Sequence, residues 1–383
     1  PWNKFALAKQ RMFLWAKNIR LTFNTQTFMG KRWKKRNALA TRMTIRPVPF
    51  IIVVCLITAF FIKLQKVRRH HSKTLDPLFP KPNTEIYRIR PLDCGVFVPA
   101  VREHHAVKDP NRGSILMVKN ATEHFYISIH HKQADSRLKG FTILKTGTYL
   151  QRHSTMLIKE VLSNTSHENR FIEVGASYGW FSLLAHKLGI KNVDIFEPNL
   201  VNVLRICQSL DANHWLNDSV EIYPYGLTAE DGTVLFQYHD DGSARVNVNW
   251  GHKSQAFALD SFARERGWLE RNDEIISMLK VDVGNHAPQV LLGTSELLSS
   301  GMVKSLLLYL TIRHKGDKEL CQNAIHMLMS IGFQLFLYGS CEEGPEYPNP
   351  WIHDADLPGN ILQAMGKPPN HLDIALYWKF VNE

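Results

Sequence analysis

The run F-I-E-V-G-A-S-Y-G-W-F at residues 171–181 limits the possible folds of this chain more than any other stretch. Its first four residues predict a short buried strand. Gly175 and Gly179 predict a tight turn, because glycine accepts positive φ and lets the backbone approach a ligand closely. Residues 181–188 then predict a helix whose N-terminus faces that ligand. Since the next apolar run ends at Glu197, the sequence predicts a strand–turn–helix–strand unit with a ligand site at the edge of a sheet.

The glycine spacing indicates which ligand fits this turn. A dinucleotide fingerprint needs glycines at 175, 177 and 180, whereas this chain has Ser177 and Trp180 at the last two positions. Glu197 lies where a carboxylate accepts hydrogen bonds from two ribose hydroxyls. The pattern therefore favours a nucleoside cofactor without a diphosphate, such as S-adenosylmethionine. The alternative is an ordinary strand–turn–helix unit with no ligand.

The rest of the chain alternates strand-like and helix-like segments. The predicted strands are Phe171–Val174, Asn192–Phe196, Val220–Tyr225, Met278–Val283, Val303–Thr311, Phe333–Tyr338 and Asp373–Trp378, and the predicted helices cover residues 150–162, 181–188, 199–214, 257–267, 287–299 and 317–331. Such alternation is typical of a doubly wound (Rossmann-like) α/β sheet. A turn and an alternating strand at Asp231–Tyr238 interrupt it and predict a hairpin-like excursion. Two earlier β-like runs, Ser114–Val118 and His124–Ile129, fall in a region before this domain.

Charge is distributed very unevenly along the 383 residues. Residues 1–74 contain 17 Lys and Arg and no acidic residue, so the remainder has 29 basic and 35 acidic residues, a net charge of −6. The high overall pI is therefore no argument for nucleic-acid binding, and no nucleic-acid partner is expected.

The basic part surrounds the apolar residues 48–64, which predict a single transmembrane signal-anchor. The expected organisation is a basic tail (1–47), the anchor (48–64), a Pro-containing stem (65–90), a pre-domain region (91–165) and a C-terminal α/β domain (166–383). The positive-inside rule puts the N-terminus in the cytoplasm, although a translation start at Met43 would reverse the charge bias. An acid-free N-terminus is also typical of an organellar presequence.

Other features bear on the compartment. The sequons at Asn120, Asn164 and Asn217 favour a glycoprotein whose C-terminal domain lies in the lumen of the endoplasmic reticulum or Golgi. Cys207 is expected as a small core residue, and a Cys321–Cys341 disulfide is possible in an oxidising lumen, which would leave Cys94 unpaired. No Cys or His cluster has zinc spacing, so no metal site is expected.

Five motifs in order resemble the FkbM-type family of class I S-adenosylmethionine-dependent methyltransferases. They are F-I-E-V-G-A-S-Y-G at 171–179, F-E-P at 196–198, G-L at 226–227 followed by D-G at 231–232, L-D-S at 259–261 and L-K-V-D-V at 279–283. The resemblance covers about residues 145–380 and implies S-adenosylmethionine as cofactor. The cofactor-binding residues that follow from the pattern and the resemblance together are Glu173, Gly175, Ser177, Gly179, Glu197 and Pro198.

The resemblance also places Asp282 at the tip of the fourth core strand, facing the transferred methyl group. The family usually continues D-V-E-G-x-E, whereas this chain has Asp282-Val283-Gly284-Asn285-His286-Ala287, so both glutamates are missing. Methyl transfer depends mainly on positioning the nucleophile, and a base helps when a hydroxyl must lose its proton. Asp282 and His286 are the candidate bases, with a loop histidine of no role as the alternative for His286.

Three functions follow as hypotheses from these observations. The first is a membrane-anchored methyltransferase that acts on a sugar or another hydroxyl-bearing acceptor, either a glycan or a small molecule. The second is a non-catalytic binding or scaffold protein that keeps the methyltransferase fold. The third is an organellar methyltransferase of small molecules.

Overall fold

The structure is a computed structural model, and it describes residues 89–104, 113–119, 124–130, 139–238, 244–246, 251–271, 274–312, 315–340 and 372–381. All of these residues belong to one compact unit of the chain. The predicted tail, the anchor at 48–64 and the stem lie outside the described residues, apart from the last two stem residues. Within the described ranges, no helix has the length and apolar character needed to cross a bilayer.

The described elements follow the predicted alternation closely. The helices are α1 Cys94–His104, α2 Lys139–Thr146, α3 Arg152–Ser163, α4 Trp180–Lys187, α5 Leu200–Ala212, α6 Leu259–Glu265, α7 Trp268–Arg271, α8 Ala287–Leu292, α9 Ser295–Ser299 and α10 Lys315–Ile331. The strands are β1 Gly113–Lys119, β2 His124–His130, β3 Arg170–Val174, β4 Asn192–Phe196, β5 Val220–Tyr223, β6 Gly226–Leu227, β7 Gly232–Tyr238, β8 Ala244–Val246, β9 His252–Phe257, β10 Ile276–Val281, β11 Ser305–Ile312, β12 Phe333–Ser340 and β13 Leu372–Phe380. A short 3-10 turn covers Gly284–His286.

Seven of these strands form the central sheet, in the order β12-β13-β11-β10-β3-β4-β5. Neighbours from β11 to β5 run parallel, whereas β13 is antiparallel to both β11 and β12. The prediction of a doubly wound α/β sheet is confirmed, with the correction that the sheet is mixed. The strand order reverses between β3 and β10, so the carboxyl ends of these two strands and β4 border the crevice in which ligands of such sheets bind.

Apolar side chains alternate between the two faces of the sheet, and each face has its own core. On one face, Ile172 and Val174 of β3 pack in the core that contains α6, α8 and α10. On the other face, Phe171 packs with residues of α3, α4 and α5. Because side chains alternate along a strand, Glu173 points to the same face as Phe171, towards α4. That position matters for the site described below.

Two boundaries differ from the prediction for local reasons. Strand β5 ends at Tyr223 because Pro224 has no N–H to continue the ladder. The single helix predicted at 287–299 is two helices, α8 and α9, separated by Gly293 and Thr294.

The carboxylate of Asp260 explains why α9 can begin as a separate helix. Its two oxygens accept hydrogen bonds from the N–H groups of Glu296 (3.0 Å) and Leu297 (2.9 Å). Burial raises the pKa of Asp260, and the two backbone hydrogen bonds oppose that rise. The L-D-S motif therefore has a structural role as a helix cap.

Replacing Asp260 with Ala should lower the free energy of unfolding by about 1–2 kcal/mol, because two N–H groups of α9 lose their acceptor. Chemical denaturation measures this difference. The matched control is Glu230→Ala, which removes an exposed carboxylate outside any helix. Equal stability of the two variants would contradict the capping role.

The predicted excursion at Asp231–Tyr238 is part of a second sheet, with strand order β6-β9-β7-β8. Strand β7 pairs antiparallel with both β8 and β9, while the short β6 pairs parallel with β9. The prediction of a hairpin-like insertion between the third and fourth core strands is confirmed, and the insertion is larger than the sequence indicated.

The region before the domain contributes a hairpin and a helix that pack on α5. Strands β1 and β2 are antiparallel with residues 113–119 opposite 124–130, which confirms the two predicted β-runs. The N–H of Ser128 in β2 donates to Ser209 Oγ of α5 at 2.8 Å. Helix α1 is joined to α5 by a disulfide between Cys94 and Cys207.

This disulfide corrects the cysteine prediction on both points. Cys207 is buried as predicted, but it is bonded to Cys94 and is not a free core thiol. Cys321 is a free thiol buried against the sheet, so the possible Cys321–Cys341 pairing is wrong. The 113-residue separation between the bonded cysteines explains the error. No local pattern in the sequence brings α1 next to α5.

Candidate cofactor and methyl-transfer site

The turn after β3 has the backbone conformation that its glycines predict. Gly175, Ser177 and Gly179 all have positive φ, at 80°, 55° and 75°. A Cβ on Gly175 would lie 2.1 Å from the carbonyl oxygen of Asp282, so the turn passes directly against the end of β10. Gly179 is the N-cap of α4. The turn therefore brings the start of α4 and the tip of β10 to one place.

Trp180 occupies the position where a dinucleotide fingerprint has its last glycine. Its indole is buried, packs on the rings of Phe125 and Tyr149, and donates a hydrogen bond to Thr155 Oγ1 (3.1 Å). The bulky side chain thus packs α4 against α3 and β2, at the position where a dinucleotide fingerprint needs a glycine for close helix–strand packing.

Glu197 follows β4 immediately and is 4% exposed. Its Oε2 accepts a hydrogen bond from the N–H of Ser177, and its Oε1 accepts one from the N–H of Asn199, both at 2.8 Å. The carboxylate therefore joins the glycine turn to the start of α5. Each carboxylate oxygen can accept a second hydrogen bond, and Pro198, next in the chain, has no N–H to compete for it.

Glu173 is fully buried behind the turn rather than at its surface. Its Oε2 accepts hydrogen bonds from the N–H (2.9 Å) and the hydroxyl (2.6 Å) of Ser182 in the first turn of α4. Burial raises the pKa of Glu173, while Lys280 and Ser182 oppose the rise. In this position the side chain fixes the start of α4 relative to β3, and we assign it a supporting role for the turn.

Lys280 of β10 lies opposite Glu173 of β3 in the register of the two strands. Its Nζ is 3.2 Å from Glu173 Oε1 and 3.8 Å from Asp282 Oδ2, and its side chain is 2% exposed. The ammonium also lies over the rings of Phe181 (4.7 Å) and Tyr309 (5.4 Å). A buried cation is tolerated when it has such partners.

Asp282 stands just beyond β10 and exposes 32% of its side chain. Gln151, the N-cap of α3, donates a hydrogen bond from Nε2 to Asp282 Oδ2 at 3.2 Å. The amide oxygen of Gln151, Oε1, is buried and has no hydrogen-bond partner. A ligand with N–H or O–H donors therefore suits this oxygen and the partly exposed carboxylate of Asp282.

His286 ends the 3-10 turn after Asp282 and is the N-cap of α8. Its Nε2 is buried without a hydrogen-bond partner. Burial lowers the pKa of this imidazole from 6.5 to about 4, so the ring is neutral at physiological pH. Because burial disfavours the protonated ring, it weakens His286 as a candidate base.

The lowered pKa of His286 predicts a pH dependence of stability. The unfolded chain binds a proton at His286 more readily than the folded chain does. The stability that His286 contributes is therefore present above about pH 6.5 and is lost as the pH falls towards 4. Asp194 has the opposite effect. Its pKa is raised from 3.8 to about 6, mainly by burial, so it favours the folded state more as the pH falls through 6.

His286→Gln should therefore remove up to about 2 kcal/mol of the stability difference between pH 7 and pH 4. Thermal or urea denaturation at a series of pH values measures this change. His326→Gln, at an exposed position in the middle of α10, is the matched control. If the free energies of unfolding of His286→Gln and of the unmodified chain differed by the same amount at every pH, His286 would not be a buried neutral imidazole in the folded state.

The strand order places this site in a known class of fold. A seven-stranded sheet in this order, with its antiparallel strand second from one edge, is the sheet of class I methyltransferases. The fold expected from the resemblance is therefore present, although the narrower FkbM-type assignment remains a resemblance. No protein-family model matches the chain, and no curated protein matches it.

The chain is similar in fold to several solved methyltransferase structures. A SAM-dependent methyltransferase from Agrobacterium tumefaciens is 11% identical, with a TM-score of 0.38 and coverage of 71% of each chain. An rRNA methylase from Streptococcus thermophilus is 12% identical (TM-score 0.35; 61% of this chain and 98% of that one). M. jannaschii TYW2 in complex with AdoMet is 9% identical (TM-score 0.31; 70% and 87%). At these identities the likeness extends to the fold alone.

The structure brings the sequence-predicted residues together at the carboxyl edge of β3, β4 and β10. The turn contains Gly175, Ser177 and Gly179. The Glu197 carboxylate accepts a hydrogen bond from the turn, and Asp282 lies against it. Two further polar residues were missed by the sequence reasoning, Lys280 and Gln151. Lys280 stands within the L-K-V-D-V motif, so a charged residue in an otherwise apolar strand was the available signal. No feature of the sequence indicated that Gln151 belongs to the site, because it is about 130 residues from Asp282 in the chain.

Proposed function

We propose that this chain is an S-adenosylmethionine-dependent methyltransferase that methylates a hydroxyl-bearing acceptor such as a sugar. One observation carries the proposal: the glycine turn, the Glu197 carboxylate and Asp282 meet at the switch point of a class I methyltransferase sheet. Ligands of open α/β sheets bind at that point.

The residues at this edge fit the cofactor. Glu197 lies directly after β4, beside the glycine turn, where a carboxylate accepts hydrogen bonds from ribose hydroxyls. Asp282 and the free amide oxygen of Gln151 suit a positively charged ligand with N–H donors. The turn carries no side chain larger than serine between Val174 and Tyr178. When bound, S-adenosylmethionine supplies an electrophilic methyl group on its sulfonium.

Asp282 is the residue we place next to the acceptor. S-adenosylmethionine held by the glycine turn and Glu197 would supply the methyl group. The Asp282 carboxylate would accept the proton that the acceptor hydroxyl loses and then pass it to water. Gln151 holds the carboxylate in place. His286, neutral at physiological pH, is the second candidate for the proton acceptor.

We place the domain in the secretory lumen, held by the signal-anchor at residues 48–64. The Cys94–Cys207 disulfide supports an oxidising compartment, because intracellular thiols are kept reduced. The sequons at Asn120, Asn164 and Asn217 support the same compartment. The disulfide also weighs against the organellar small-molecule alternative. The net positive charge lies in residues 1–74 and the remainder has a net charge of −6, so the acceptor proposed is not a nucleic acid.

Radiolabelled S-adenosylmethionine tests the proposal. The full chain should transfer label to glycoprotein or glycolipid fractions of a membrane extract. Asp282→Asn should reduce transfer about 10²-fold, while S-adenosylhomocysteine binding changes less than about fivefold. If label appeared only in an RNA fraction, the acceptor would be RNA and the proposed sugar acceptor would be wrong. Failure to bind S-adenosylmethionine would disprove the proposed function.

A non-catalytic binding protein is the second candidate, and one observation favours it. The segment after Asp282 forms a 3-10 turn, Gly284–His286, without the two glutamates of the related family. In that case the chain would bind S-adenosylhomocysteine and S-adenosylmethionine but transfer no label to any fraction. The transfer assay and the binding measurement together therefore separate the two candidates.

A further inference from the structure

The side-chain amide of Asn199 has one end that the fold uses and one end that it does not. Asn199 follows Pro198 directly and is the N-cap of α5, where its Oδ1 accepts a hydrogen bond from the N–H of Val201 at 3.0 Å. Because a backbone N–H needs an acceptor, this contact fixes which end of the amide is the oxygen. The other end, Nδ2, is buried and has no hydrogen-bond partner among the described residues. The whole residue is only 3% exposed.

The unpaired donor at Asn199 needs a physical reason. Buried polar groups of folded proteins nearly always have partners, because an unpaired group destabilises the fold. Capping α5 does not require this donor, since aspartate and serine cap helices about as well as asparagine and have no amide N–H. The unpaired Nδ2 therefore indicates an acceptor that a ligand supplies.

The position of Asn199 indicates which part of the ligand supplies this acceptor. The backbone N–H of Asn199 donates to Glu197 Oε1 at 2.8 Å, so the residue is fixed beside the carboxylate that is proposed to bind ribose. An ionised carboxylate only accepts hydrogen bonds, and an amide NH₂ group only donates them, whereas a hydroxyl does both. A ring nitrogen of adenine that accepts a hydrogen bond suits Asn199 alone. A sugar hydroxyl suits both neighbouring side chains.

We infer that Asn199 is a second ribose-binding residue, whose Nδ2 donates to a cofactor hydroxyl from which Glu197 accepts. The two side chains then recognise this hydroxyl through its oxygen and through its proton. The donor that is unpaired in the free chain becomes paired when the cofactor binds. This inference rests on the proposed function of the site.

The experiment uses calorimetry to measure binding of S-adenosylhomocysteine and of its 2′-deoxy and 3′-deoxy analogues to the full chain. The variants Asn199→Asp and Asn199→Ser keep a helix-capping oxygen and remove the amide donor. Each should bind S-adenosylhomocysteine about fivefold more weakly, the usual effect of one neutral hydrogen bond. The penalty for one deoxy analogue should be about fivefold smaller in the variants than in the unmodified chain, because the missing hydroxyl no longer has a donor partner. The penalty for the other analogue should stay the same.

Thermal unfolding of the free chain distinguishes a ligand contact from a structural role of the Asn199 amide. Asn199→Ser should unfold at the same temperature as the unmodified chain or at a higher one, because the cap remains and an unpaired buried donor is gone. Asn199→Ala also removes the cap and should unfold at a lower temperature. The matched control is Asn323→Ser, at an exposed position in α10, which should leave all three affinities unchanged.

Two results would overturn the assignment of Asn199 to ribose while leaving the proposed function standing. If the penalties of both deoxy analogues were the same in the variants as in the unmodified chain, Asn199 would not contact a ribose hydroxyl. If Asn199→Ser unfolded at a clearly lower temperature and lost affinity for all three compounds equally, the amide would serve the fold alone. An unmodified chain that binds none of the three compounds would contradict both the assignment and the proposed function.

Discussion

Glu197→Ala is expected to weaken S-adenosylmethionine binding about 10³-fold. The carboxylate is proposed to accept hydrogen bonds from two ribose hydroxyls, and hydrogen bonds to a charged group contribute about 1.5–3 kcal/mol each. Since each 1.4 kcal/mol is tenfold in affinity, losing two such bonds accounts for about three orders of magnitude. The same substitution removes the acceptor for the N–H groups of Ser177 and Asn199, so the free turn should also lose order.

A change on the ligand side separates these two effects. An S-adenosylhomocysteine analogue that lacks the 2′-hydroxyl should bind the unmodified chain about tenfold more weakly than the parent compound. In Glu197→Ala, the two compounds should bind equally. Glu168→Ala, at an exposed position, is the matched control and should leave both affinities unchanged. An equal penalty for the analogue in both chains would show that Glu197 supports the turn without contacting ribose.

Most of the fold could be predicted because its signals are local. Strands β3, β4 and β10 are short apolar runs, and β4 begins and ends at the predicted residues. The alternation with helices then favours a parallel sheet. The antiparallel β13 could not be predicted this way, because its pairing with β11 and β12 depends on residues far apart in the chain.

The candidate site was predictable where one motif contains all the necessary residues. The turn and Glu197 are such a case, since glycine conformation and strand length place them together. Glu173 was expected at the cofactor and instead supports α4, because the alternation of side chains along β3 directs it beneath the turn. Lys280 and Gln151 act through contacts between elements, and the sequence contains no spacing rule for those.

Removing the Cys94–Cys207 disulfide is expected to lower the free energy of unfolding by about 2–5 kcal/mol, the usual range for a native disulfide. The bond closes a long loop, since its cysteines are separated by 113 positions in the sequence, and it therefore restricts the unfolded chain strongly. In the folded state it links α1 to the middle of α5, so the hairpin and helix before the domain should loosen first. Denaturation of Cys94→Ser/Cys207→Ser against the unmodified chain measures the difference.

Reducing conditions provide the control for this prediction. A thiol reductant that reaches the bond should destabilise the unmodified chain and leave Cys94→Ser/Cys207→Ser unaffected, while Cys321→Ala, which lacks only the free buried thiol, should respond to reductant as the unmodified chain does. Cofactor binding by the double variant should stay within about threefold at temperatures where it is folded, because Glu197 is held by its own hydrogen bonds to the turn and α5. If peptide mass mapping without reduction found free thiols at both Cys94 and Cys207 in the purified chain, this would contradict both the bond and the oxidising compartment that it supports.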